Sequence, residues 1–128
     1  MPTDPVERMQ CITWLFWQES SASFLGGGFG HFYSYAPYPM QYPIDRYTME
    51  TKRQLDVLDR HLAEQDYMCA SGYSIADIAI WPWYGRVATG DVYGAEEFLD
   101  TASYKNVLAW AKRIEERPSV QRGLATAL

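Results

Sequence analysis

Two cysteines and two histidines in 128 residues leave little material for disulfide or metal chemistry. Cys11 and Cys69 show no Cys-x-x-Cys spacing and the histidines no metal-ligand spacing, so neither a disulfide scaffold nor a metal site is expected. Both cysteines are expected to be free, buried thiols. Basic charge is also scarce. Eleven Lys and Arg against 16 Asp and Glu give a net charge of -5 and a pI near 4.9, which excludes a general attraction to nucleic acid or to anionic membrane surfaces. No apolar run approaches the roughly 20 residues that span a bilayer, and the opening Met-Pro-Thr-Asp lacks the basic and apolar segments of a secretory leader, so a cytoplasmic location is expected. G-x-S-x-G, His-Glu-x-x-His and a Walker lysine loop are all missing, and the glycines from Gly26 to Gly30 lack the preceding strand of a phosphate cradle. No residue is therefore assigned a catalytic role.

What is present is a chain able to fold. Hydrophobic residues make up 48% and charged residues 21%, and the length suits one domain. Aromatics reach 16%, enough to expect some at an interface. Asp4 can cap a helix with Pro5 at its first position; that helix runs through Trp17 and presents apolar residues on two sides, Val6, Met9 and Phe16 on one, Cys11, Trp14 and Leu15 on another. It is expected to stop in the glycine run, where helical order costs backbone entropy, and to be followed by a loop with Pro37, Pro39 and Pro43. From Tyr42 to about Gln65 a helical stripe carries Ile44, Tyr47, Thr51, Leu55, Leu58 and Leu62, with Glu50–Arg53 and Asp56–Arg60 pairs on a solvated face that also holds His61.

Ser74-Ile-Ala-Asp77 forms a capping box, flanked by Tyr73 and Ile78 as a hydrophobic staple, and opens a core helix that Pro82 should bend. Asp77→Ala is expected to cost about 0.5–2 kcal/mol. A short helix near Ala95 to Leu99, a clear one that begins after Ser103 and ends at Arg117, and a weak terminal turn over Val120 to Leu124 complete the chain. With no strand-like alternation, the expected fold class is all-α, a bundle of about five helices.

Seven aromatics lie between residues 29 and 47. They can form the wall of a site for a hydrophobic small molecule, or cover the bundle or a partner chain. Arg46, beside them, can grip a carboxylate in bidentate fashion or pair with Glu50. His31 can donate to a ligand or pack within its loop.

Taken together, Trp14-Leu-Phe-Trp17-Gln18, Phe24-Leu-Gly-Gly-Gly28-Phe-Gly-His31-Phe, Ile44-Asp-Arg46-Tyr, Ser74-Ile-Ala-Asp77-Ile-Ala-Ile-Trp81-Pro-Trp83, and Trp110 with Arg117-Pro118 resemble the helical C-terminal domain of glutathione transferases. The resemblance is strongest to the bacterial nu-class, whose members reduce disulfide bonds with glutathione. It extends over nearly the whole chain and implies that an N-terminal thioredoxin-like domain, not present in these 128 residues, completes the site and supplies the group that activates sulfur. The isolated chain is then expected to be inactive. The resemblance further implies that Gln18 and Arg46 reach a glutathione carboxylate, that His31, Tyr33 and Tyr35 line the site, and that the protein forms a homodimer. Helical domains of this type also serve as non-catalytic interaction modules, and a truncated gene product is a third possibility.

Overall fold

The computed structural model describes residues 1–126. Helix α1 starts where Asp4 Oδ1 accepts the backbone N–H groups of Val6 and Glu7 at 3.0 and 2.9 Å, with Pro5 in the position whose N–H needs no partner. It runs as an α-helix over Pro5–Ser23 and continues without a break as a π-helix over Phe24–Tyr35. The glycines therefore do not end the helix, contrary to the sequence expectation. Their missing side chains let rings from elsewhere settle on the helix backbone: a Cβ on Gly28 would overlap the Tyr47 ring, one on Gly30 the Tyr93 ring, and one on Gly26 would lie 2.7 Å from Trp83. The aromatic burial gained offsets the entropy the glycines lose.

Helix α2 spans Gln41–Leu62 and buries Thr51, Leu55, Leu58 and Leu62 of the expected stripe together with Gln54, while Ile44 and Tyr47 of that stripe are half-buried. Its outer face carries the Arg53–Glu50 and Arg60–Asp56 ion pairs. His61 departs from the sequence reading. It is half-buried, its Nε2 is 3.0 Å from the Met68 carbonyl oxygen, and its ring packs 4.5 Å from that of Trp14. The segment after the helix folds back over this histidine, which the helical stripe alone could not reveal.

Helix α3 follows in three continuous pieces, Ile75–Ile80, a π-helical turn over Trp81–Gly85, and Arg86–Ala88. Pro82 lacks an N–H and cannot make the ordinary i−4 bond, and the helix absorbs this by widening for one turn. Residues 95–99 form isolated turns rather than the expected short helix; Tyr93 and Asp100 on either side have positive φ, at 68° and 53°, which interrupts helical propagation. A 3-10 turn at Thr101–Ser103 leads into α4, Lys105–Glu115, and Pro118 opens α5, Pro118–Thr126, a fuller helix than the terminal turn expected. Asp59 of α2 caps α4 from outside, its Oδ1 accepting the N–H groups of Asn106 and Val107 at 2.8 and 3.1 Å. The described residues form an all-helical bundle of five helices, with α3 packed between α1 and α4.

The capping box of α3 is present and does more than start a helix. Asp77 Oδ2 accepts Ser74 N–H at 2.9 Å, and Ser74 Oγ accepts Ala76 N–H at 3.2 Å. Asp77 Oδ1 accepts Met68 N–H at 2.9 Å and Trp110 Nε1–H at 2.8 Å. Asp77 is fully buried. One carboxylate thus joins the segment before α3, the start of α3 and the middle of α4.

Candidate functional site

Arg46 lies in the second turn of α2, about half exposed, with Nη1 3.7 Å from Glu50 Oε2. Glu50 is held in turn: Arg53 donates to it, and Gln54 Nε2 donates to its Oε1 at 3.0 Å. Gln54 is buried, and its Oε1 accepts the Tyr84 hydroxyl of α3 at 2.8 Å. Burial pushes the Tyr84 phenol well above its ordinary pKa, so it remains a donor at every relevant pH. A ladder from the core of α3 to the surface of α2 therefore ends on the Arg46 guanidinium.

The hydrogen bond from Arg53, helped by Gln54 and by the charges of Arg53 and Arg46, holds the Glu50 carboxyl below its ordinary 4.5, against the opposing effect of burial. A depressed carboxylate contributes stability that is present above the unfolded-state pKa and lost as pH falls through the folded one. The stability difference between wild type and Glu50→Gln is thus expected to be constant near neutrality and to shrink below about pH 4.5, as read by urea unfolding across a pH series. A difference that does not change with pH would contradict this.

Arg46 lines a concavity of about 250 Å³ with Phe24, Phe32, Tyr42, Pro43 and Tyr47. The π-helical segment supplies one side of this wall. Residues four apart, Phe24, Gly28 and Phe32, fall in line against one ring: Tyr47 stacks on Phe32 at 5.6 Å, lies over Gly28, and approaches Phe24 at 6.4 Å. The concavity opens on the glycine-rich side of α1.

The other candidates are distributed around the same segment. His31 is exposed and meets Phe32 edge-on at 4.8 Å, on the Arg46 flank. Tyr33 packs against Phe29 and Phe98, both at 5.0 Å, and the exposed Tyr35 meets Tyr93 edge-on at 5.9 Å, so these two tyrosines belong to the opposite flank. Gln18 is half-buried on α1, ahead of the π-helical segment. Tyr93, Phe98 and the Gln54–Tyr84 pair are not legible in the sequence, because their partners are set by packing between distant segments. Only the glycine spacing at 26, 28 and 30 hinted that something must approach closely. Among the described residues no group of three or more His, Cys, Asp or Glu could hold a metal ion, and no helix is long and apolar enough to cross a membrane.

Residues 41–113 match the family model for the glutathione S-transferase C-terminal domain, and the chain belongs to that family. It is 55% identical over 123 residues to the disulfide-bond oxidoreductase YghU of Escherichia coli, covering 96% of this chain and 43% of that protein. It also resembles the crystal structure of the glutathione transferase YghU from Streptococcus pneumoniae in complex with glutathione, at a TM-score of 0.94 and 55% identity, over 97% of this chain and 48% of the other. A Pseudomonas putida glutathione transferase with one glutathione disulfide bound per subunit matches at a TM-score of 0.88 and 38% identity, over 97% of this chain and 54% of the other. The chain thus spans about half the length of these relatives.

Proposed function

We propose that this domain forms one wall of a glutathione site in a cytoplasmic, glutathione-dependent thiol–disulfide oxidoreductase or transferase, and that a thioredoxin-like domain supplies the other wall and the sulfur-activating group. The observation that carries the reading is the position of Arg46, a half-exposed guanidinium anchored through Glu50 at the rim of an aromatic concavity. A glutathione carboxylate suits such a group, since the planar fork can take both oxygens while the rings cover the apolar parts of the tripeptide. In this reading Gln18 donates an amide to the same ligand and His31 lines its approach, while Tyr33 and Tyr35, expected from the sequence to line the site, lie on the opposite flank against Phe29, Phe98 and Tyr93 and do not contact the ligand at Arg46. Relatives whose structures contain glutathione or glutathione disulfide support the ligand class.

Val6, Met9 and Phe16, 68, 62 and 73% exposed, form an apolar stripe on the side of α1 turned away from the core. The stripe supports a homodimer in which a second copy covers it. It equally favours a second reading, a non-catalytic interaction module built on the same helices.

Titration calorimetry with reduced and oxidised glutathione, in the protein with its thioredoxin-like domain, decides between the readings. Binding that weakens on the order of tenfold or more in Arg46→Ala is expected, as for a charged hydrogen-bonding partner. A flat titration alongside a stable heteromeric complex would leave the interaction module.

A further inference from the structure

The two cysteines lie far apart in sequence, yet they converge on one hydroxyl. Cys11 of α1 places its Sγ 3.8 Å from Ser74 Oγ, and the same oxygen lies 3.4 Å from Cys69 Sγ. Both cysteines are almost completely buried, at 0 and 1% exposure. A simple packing role would not require the only two thiols of the chain to meet, nor to meet at the N-cap of the central helix. Cys69 also lines a polar cavity of about 480 Å³ formed by the segment between α2 and α3, with Gln65, Tyr67 and Gly72. The turn that carries it is closed by a Gly72 N–H bond to the Cys69 carbonyl at 3.1 Å and lies outside any helix, at the wall of that cavity.

We propose that Cys11 and Cys69 are a dithiol that a small-molecule disulfide converts to an intramolecular disulfide, tying α1 to the start of α3. Cys69, on the cavity side, attacks as thiolate and breaks the sulfur–sulfur bond of the oxidant, releasing one thiol and leaving a mixed disulfide. Cys11 then attacks the Cys69 sulfur and releases the second thiol. Two electrons pass from the protein to the oxidant, and the two protein thiol protons end on the two released thiols. Burial first, and the neighbouring Cys11 thiol as well, push the Cys69 thiol above its ordinary pKa, so the reaction is slow at neutral pH and accelerates as pH rises.

The site is separate from the Arg46 concavity, with which it shares no lining residue, so a failure here would leave the glutathione-site reading standing. The test is equilibration of the chain with mixtures of reduced and oxidised glutathione, followed by acid quenching and intact mass measurement. The expected product is a single chain about 2 Da lighter than the dithiol form, yielding a Cys11–Cys69 linked peptide on digestion and reverting with dithiothreitol. Cys11→Ser should instead stop at a mixed disulfide on Cys69. If both wild-type thiols still alkylate after unfolding, despite long exposure to excess oxidised glutathione, the proposal is overturned. Accumulation of mixed disulfides or of cross-linked dimers in the wild type would overturn it as well, and neither outcome depends on the Cys11→Ser variant folding.

Discussion

Asp77→Ala is expected to destabilise the domain by about 3–5 kcal/mol, beyond the 0.5–2 kcal/mol that a capping residue alone would suggest. The difference comes from burial. Asp77 is fully buried, and its two oxygens satisfy Ser74 N–H, Met68 N–H and Trp110 Nε1–H, with the Ser74 hydroxyl 3.3 Å away. Alanine would leave these donors in a dry interior without acceptors, each costing roughly 1–3 kcal/mol where no water can enter. Since small domains are stable by only about 5–15 kcal/mol, much of the margin would go. Denaturant unfolding at neutral pH measures the loss. Trp110→Phe, which removes a single donor to the same carboxylate and keeps most of the ring volume, should cost on the order of 1–2 kcal/mol. An Asp77→Ala loss below about 1 kcal/mol would mean that the carboxylate is not the hub its contacts describe.

The second large effect concerns the glycines of α1. Gly30→Ala is expected to destabilise the domain by about 1–3 kcal/mol even though alanine favours helix by up to about 1 kcal/mol, because the new methyl group would occupy the space of the Tyr93 ring. Gly27→Ala supplies the control. Nothing lies within 4 Å of a Cβ at Gly27, and the position is exposed, so the substitution should stabilise by about 0.5–1 kcal/mol. Thermal or urea unfolding of the two variants separates close packing from backbone entropy as the reason for these glycines. Equal effects of the same sign at both positions would remove the ring-packing explanation.

Much of this domain was legible because the signals involved are local. The Asp4-Pro5 start of α1, the stripe of α2 and the Ser74–Asp77 box depend on residues within a turn or two of one another, and all three are present. The misreadings share the opposite character. Gly26 to Gly30 looked like a helix terminator, and would be one in an isolated peptide; Trp83, Tyr47 and Tyr93 change the balance by packing on the bare backbone. His61 looked solvated until the chain after α2 folded over it. Arg46 could be named as a candidate anion-binding group, but its anchoring through Glu50 and Gln54 to Tyr84 could not, since that contact joins two helices distant in sequence.

By itself, then, the amino-acid order determined that the domain is helical, where most of its helices begin, and the family to which it is similar. The first two follow from backbone capping and from hydrophobic periodicity, which act over a few residues; the family similarity rests on the particular motifs the chain carries. Only the tertiary structure decided that α1 continues as a π-helix through its glycines, that Asp77 serves three segments at once, and that the two thiols share one hydroxyl. Those outcomes depend on which surfaces exclude water together, and that is settled only when distant parts of the chain meet.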